Sequence, residues 1–181
     1  MTMARQLNAI SNGLATPLYF RSCTLKTFFG RRLMHTTNTI EMLGDPEVIR
    51  PRIYQLAANI QDWPAILPHY RYMRVTEKSD RHKVADFGAS RDGLPVSWRA
   101  RQELFPEEYR ITFDHVGGVT RGMWVEWRLE PKGDRVIVTI DHQLTYPVPL
   151  LGPLFARYIV GGLFVENIAG KTLRCIKAMV E

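Results

Sequence analysis

Residues 150–165 read LLGPLFARYIVGGLFV, an apolar run broken by a single charge, Arg157. Beyond it the apolar positions narrow to one stripe. Ile168, Ala169, Thr172, Leu173, Ile176, Met179 and Val180 recur at steps of three and four, while Lys171, Arg174 and Lys177 take the other face. That spacing predicts an amphipathic helix, with Pro153 tolerated in its first turn. A single helix over residues 154–180 would measure roughly 40 Å at about 1.5 Å per residue. Its first half is apolar nearly all round, and about 16 residues with an arginine inside are too few to cross a bilayer. Such a run is core, so the rest of the chain must wrap it.

Working back from the helix, the sequence has the period of strands. From Tyr70 onward apolar and polar residues alternate over 70–78, 82–90, 95–105, 108–116, 121–131 and 134–146. Ser79-Asp80, Asp92-Gly93, Pro106-Glu107, Gly117-Gly118 and Lys132-Gly133-Asp134 separate these runs as turns. Links this short predict an antiparallel meander. Upstream, residues 37–43 form a first strand. Asp45-Pro46 suits a helix start, but Pro51 makes a continuous helix from there awkward, so the firmer expectation is a helix over 51–60. Asp62 is then expected to cap a short second helix through WPAIL. The result is an α+β domain: about seven antiparallel strands curved round a long C-terminal helix, with two short helices after the first strand.

The alternation also assigns faces. Val136, Val138, Ile140, His142, Leu144 and Tyr146 share one side of the last strand, and Met123, Val125, Trp127 and Leu129 share one side of the strand before it. In the two preceding strands the matching sets are Val96, Trp98, Ala100, Gln102 and Tyr109, Ile111, Phe113, His115. Arg99, Arg101, Glu103, Arg110, Asp114, Glu126, Arg128, Glu130 and Asp141 fall on the opposite side, where cross-strand ion pairs are expected. One apolar face must be buried, and the terminal helix is the available cover. Trp124 lies on the outer side and is expected under the first helices or at an oligomer surface.

The whole chain has 181 residues, 45% hydrophobic and 23% charged, which suits one globular domain with a sizeable core. Its net charge of +6 invites a nucleic-acid reading, but the distribution opposes it. Residues 1–33 hold Arg5, Arg21, Lys26, Arg31 and Arg32 with no acid, giving +5 and leaving about +1 for residues 34–181. The basic segment is therefore read as a flexible leader before a domain at 34–181. It has three readings: a transit peptide, an arm that meets an anionic surface, or a tail upstream of a natural start at Met34. Cys23 and Cys175 form neither a disulfide framework nor a metal spacing. A reducing, cytoplasmic setting fits, with an organelle or membrane address as the alternative if the leader directs transit.

The order β-α-α-β(6)-α, with NIQDWPAILPHYRYMRV at 59–75, GMWVEWRLEP at 122–131 and HQLTYPVPLLGPLFARYIVGGLFVENIAGKTL at 142–173, resembles the START-like, helix-grip (SRPBCC) superfamily. Within it the likeness is to the polyketide cyclase/dehydrase and lipid-transport group, related to coenzyme Q-binding START domains. It covers residues 34–181. The resemblance implies a sheet curled round the last helix over an apolar cavity, and a hydrophobic ligand such as a lipid, quinone or polyketide. It supplies no catalytic motif that matches residue by residue.

The candidate site follows from the inward polar and aromatic residues. A poly-β-ketone cyclase removes a proton from an activated carbon and stabilises a carbonyl oxygen as it becomes charged. His142 and His115 are the acid/base candidates and Tyr146 the donor, with burial expected to keep the imidazoles neutral. Trp98, Gln102, Tyr109, Phe113 and Trp127 are expected to hold the ligand, while Trp63 is expected to anchor the two short helices and, with Tyr70, to bound the entrance. Arg157, the lone charge in its run, is the candidate for an anionic ligand head, and it lies with Tyr158 near Pro147-Val148-Pro149, where a gate over the ligand is expected. A core histidine, packed tryptophans and a snorkelling arginine are the structural alternatives. A carrier or chaperone without turnover, in transient contact with a membrane, is the competing function; docking through the basic leader is a third. No cofactor, metal or specific nucleic acid is expected. Residues 117–122 are glycine-rich but join two strands, with no helix following to cradle a phosphate. No G-x-S-x-G elbow or Cys/His motif is present.

Overall fold

The computed structural model describes residues 19–28, 31–91, 93–118, 120–147 and 164–181. Their strands are β1 (Tyr19–Phe28), β2 (Arg31–Leu43), β3 (Tyr70–Lys78), β4 (His82–Arg91), β5 (Leu94–Phe105), β6 (Arg110–Gly118), β7 (Met123–Lys132) and β8 (Arg135–Pro147). They pair antiparallel in the order β1-β2-β8-β7-β6-β5-β4-β3. The helices are α1 (Pro46–Ala58), α2 (Trp63–Ile66) and α3 (Phe164–Val180).

Curvature follows from which strands one helix can reach. α3 packs against β2, β4 and β8. β2 and β4 are five steps apart in the sheet, about 24 Å in a flat sheet at about 4.8 Å per strand. A helix is only about 10–12 Å across with its side chains, so the sheet curls to bring both strands onto it. The stripe read from sequence faces inward: Ile168, Ala169, Thr172, Leu173, Ile176 and Val180 are all buried. The far end of α3 is tied down through Lys177, which donates to the Glu41 carbonyl (2.7 Å). Nothing among the described helices is long and apolar enough to cross a membrane.

Three expectations change. The first strand is β2, which starts at Arg31 rather than at residue 37, and Tyr19–Phe28, within the segment read as leader, pairs with it as an additional edge strand. The described sheet thus has eight strands rather than about seven. α1 runs unbroken from Pro46 through Pro51. The carbonyl that Pro51 deprives of its N–H belongs to Glu47, four residues earlier on an exposed turn, where water can replace the bond. Asp62 precedes α2 but makes no side-chain cap bond; the cap that forms is at Asp45, which accepts from the Glu47 N–H (3.0 Å). The apolar half of the predicted long helix and the gate around Pro149 lie outside the described residues.

β6 carries one extra residue, Val116, opposite the step from Arg99 to Ala100. The bulge places Gly118 directly across from Trp98. Gly118 has φ +79°, and a Cβ there would stand 2.5 Å from the Ser97 carbonyl oxygen and 2.6 Å from the Trp98 Cα. Only glycine fits. The position directly across from Trp98 therefore carries no side chain, and the neighbouring His115 of the same strand stacks on the Trp98 ring.

Candidate functional site between the sheet and the terminal helix

A cavity of ≈ 60 Å³ lies where the inner face of the sheet meets α3. Trp63 of α2, Tyr70 of β3, Phe87 of β4, Trp98 of β5, Phe113 of β6 and Trp127 of β7 supply aromatic walls. Met123, Val125 and Ile140 fill the floor, and Ile168, Ala169 and Thr172 form the α3 side. Trp63 is the hub, within 4.8 Å of Tyr70 and about 6 Å of Phe87, Phe113 and Trp127 by ring centre. Its indole N–H donates to the Leu56 carbonyl (2.9 Å), which also anchors the two helices to each other. Phe87, Trp98 and His115 form a near-parallel stack, with centres 5.2 Å and 5.8 Å apart.

Two histidines border the cavity. His115 Nδ1 is 2.6 Å from the buried Thr120 hydroxyl. His142 Nδ1 is buried without a hydrogen-bond partner among the described residues. Burial lowers the His115 pKa to about 3, and His142 opposes a second positive charge there. Burial likewise lowers His142 to about 4, against the pull of Asp141 behind it on the other side of the sheet. Both imidazoles are neutral at pH 7, so each can accept a proton through one nitrogen and donate through the other.

Of the residues singled out from sequence, Trp63, Tyr70, Trp98, Phe113, His115, Trp127 and His142 meet at this cavity. Gln102 does not. It is buried beside Lys83, and both side chains donate to the Ala58 carbonyl at the end of α1, at 3.2 and 2.8 Å. An inward polar residue on β5 therefore serves as a helix C-cap. Burial also lowers the Lys83 pKa. Tyr109 precedes β6 in a left-handed conformation (φ +48°) and is displaced from the cavity. Its ring packs edge-on against Tyr54 and lies under the Arg50 guanidinium, 4.1 Å from the ring centre. Arg157, Tyr158 and the Tyr146 side chain lie outside the described residues.

Two contributors escaped the sequence reading. Phe87 shares an alternation with the buried Ala85 and Ala89, a legible signal on β4. His69 carried none, because it lies in the turn before β3 and outside any periodic run. His69 Nε2 is 2.8 Å from the Thr172 hydroxyl, which donates its own proton to the Ile168 carbonyl (2.8 Å). With that proton committed, Thr172 accepts from His69, fixing the neutral imidazole as the Nε2–H tautomer. Burial, reinforced by Lys171 and Arg174, lowers the His69 pKa to about 4. Tyr70 presents its hydroxyl beside Thr172, and burial raises its pKa.

The outer face matches its expected polarity. Asp141 is buried there and accepts from Thr37 (2.5 Å), His35 (3.2 Å) and Arg128 (2.5 Å), while Arg128 also reaches Glu126 (2.6 Å). Trp124 is half-buried on this face, opposite Asp114 and Gln143. α1 packs on β6, β7 and β8 together with α3, so Trp124 does not lie beneath the helices.

Comparison with known proteins agrees with this geometry. The family model described as polyketide cyclase/dehydrase and lipid transport matches residues 50–160. The chain is 26% identical over 113 residues to the actinorhodin polyketide synthase bifunctional cyclase/dehydratase of Streptomyces coelicolor; the match covers 61% of this chain and 34% of that protein. The chain thus spans about a third of that relative's length. Among solved structures, the Zhui aromatase/cyclase from Streptomyces sp. R1128 superposes with a TM-score of 0.69 at 18% identity, over 82% of this chain and 93% of that one. A START superfamily protein from Mycobacterium smegmatis gives 0.61 at 14% identity, over 81% and 96%. At these identities the structural matches establish the shared fold.

Proposed function

The chain belongs to the polyketide cyclase/dehydrase and lipid-transport family, and from that premise we propose that it binds a hydrophobic small molecule of the polyketide, lipid or quinone kind between the sheet and α3. The observation that carries this reading is an aromatic-walled cavity bordered by two buried, neutral histidines. Its ≈ 60 Å³ is several times smaller than a pocket that encloses such a molecule. Ligand pockets for larger molecules run to about 300 Å³ or more, so binding includes displacement of wall side chains, and the apolar ligand replaces their mutual contacts.

For a poly-β-ketone the chemistry is an aldol closure. A neutral imidazole, His142 or His115, takes a proton from the carbon between two carbonyls. That carbon forms the new C–C bond to a second carbonyl carbon as its C=O π pair moves onto oxygen. The oxygen then takes the proton held by the imidazolium, which returns to its neutral form, while the other imidazole donates a hydrogen bond to that oxygen. The apolar wall holds the chain folded so that the reacting carbons meet. A carrier would use the same cavity without these proton transfers.

The experiment is a paired measurement on the full chain. Affinity for a linear poly-β-ketone thioester mimic is read by tryptophan fluorescence, and cyclised product by chromatography. An enzyme loses product formation on His142→Ala while affinity changes little. Binding without product in the unmodified protein identifies a carrier. Absence of binding contradicts the proposal.

A further inference from the structure

Away from the cavity, we propose that Lys83 is a nucleophilic amine that forms an imine with small aldehydes entering through a groove at the end of α1. Lys83 lies on the inner side of β4, in phase with the buried Ala85, Phe87 and Ala89, and is itself only 5% exposed. A lysine this deep is ordinarily paired with a carboxylate. Lys83 is not. Among the described residues Nζ has two acceptors, the Ala58 carbonyl at 2.8 Å and Gln61 Oε1 at 3.5 Å. Its direct cross-strand partner is Lys78, a like charge. Asp62 attracts it without forming an ion pair, and burial together with Lys78 outweighs that pull, so the pKa is lowered.

The hydrogen-bond count suits an amine. An ammonium brings three protons to two acceptors, whereas a neutral amine brings two and keeps a lone pair. The remaining position on the nitrogen is left to the groove, an open space of ≈ 490 Å³ that Lys83 lines with Gln61, Lys78, Ser79 and Asp80. Those four are exposed, so their side chains can part to admit a small molecule. A desolvated lysine beside a second cation is activated toward carbonyls. The lone pair attacks the aldehyde carbon, the C=O π pair moves onto oxygen, and a proton passes from nitrogen to that oxygen. The hydroxyl so formed takes a proton from solvent and leaves as water, giving a protonated imine. That imine keeps one N–H for Ala58, and Gln102 Nε2, at 3.2 Å, holds the same carbonyl throughout. The helix cap thus survives the reaction.

Reductive trapping on the full chain tests this. Acetaldehyde with cyanoborohydride at neutral pH reduces any imine to an ethylamine, and peptide mass spectrometry follows the ethyl group at each lysine. Lys83 is expected to react at least about threefold faster than Lys78 and Lys132, although both of those are exposed and Lys83 is buried. Lys78→Gln, a change at the exposed edge of the sheet, should slow Lys83 toward the rate of Lys132 by removing the paired cation. If Lys83 in the folded protein reacts no faster than Lys132, or reacts only after urea has unfolded the chain, it caps α1 and nothing more, and the proposal is overturned. If Lys78→Gln leaves Lys83 as fast as before, the paired-lysine account on which the proposal stands is overturned. The comparison among lysines in the unmodified protein decides the question even if the variant does not fold, and it does not depend on what the cavity binds.

Discussion

Acid should unfold this domain through its interior histidines. His69, His115 and His142 are all buried, with pKa values lowered to about 4, 3 and 4. In the unfolded chain each returns to about 6.5. Between about pH 6.5 and pH 4 the unfolded state therefore binds up to three more protons than the folded state. Stability rises with pH across that window, is complete above it, and is lost as the pH falls. Each proton contributes a slope of about 1.4 kcal/mol per pH unit, so three give about 4. A domain of ordinary stability, about 5–15 kcal/mol, would be consumed within a few pH units. Asp86 and Asp141 are held below their usual range by hydrogen bonds from Arg99 and from Thr37 and Arg128, so they remain ionised through most of this window. The assay is urea unfolding followed by tryptophan fluorescence at half-unit steps from pH 7.5 to 4.5. His142→Gln should remove about a third of the slope. A stability flat from pH 7 to pH 5 would refute the assignment of three neutral interior imidazoles.

Other substitutions separate packing from chemistry. Gly118→Ala places a Cβ against the Ser97 and Trp98 backbone at positive φ, and should cost about 1–3 kcal/mol in chemical denaturation. Gly88→Ala runs first into the Tyr72 ring, at 2.1 Å from its Cε1, and should lower stability; Tyr72 is half-exposed, so adding Tyr72→Ala should recover most of that loss. Arg128→Ala leaves Asp141 buried with one fewer cation. With Arg128 itself partly exposed and Thr37 still donating, the cost should be about 1–2 kcal/mol, between those of exposed and buried pairs. Arg128→Ala with Asp141→Asn should cost less than the two changes added separately. Trp63→Ala removes the hub of the aromatic wall and its bond to Leu56, and should lower stability by about 3–5 kcal/mol in the same assay.

Much of this architecture is written in two periodicities. Alternation located β3 to β8 to within about two residues at each end, because one-sided burial imposes a period of two on the sequence. The same alternation placed Trp98, Phe113, His115, Trp127 and His142 on the inner face. It failed where a residue's role depends on a partner distant in sequence. Gln102 has the position of a cavity residue, yet it reaches Ala58 instead, because α1 ends over β5 and needs its carbonyl satisfied. Tyr109 has the right phase but stands in a left-handed turn, and no alternation survives a positive φ. His69 lies outside every periodic run, and only the docking of α3 gives it Thr172. Pro51 illustrates the converse error: a proline rule stated for helix interiors yields when the orphaned carbonyl faces water.

The central claim is that an apolar ligand resides between the sheet and α3, and native mass spectrometry of the 20.9 kDa protein purified from its own host tests it most directly. The account predicts a stoichiometric adduct that survives gentle ionisation and whose extract is an apolar molecule with a planar or acyl body. It also predicts that the adduct is lost in Trp98→Ala. A protein found only at its bare sequence mass, which also takes up no poly-β-ketone mimic, would contradict it.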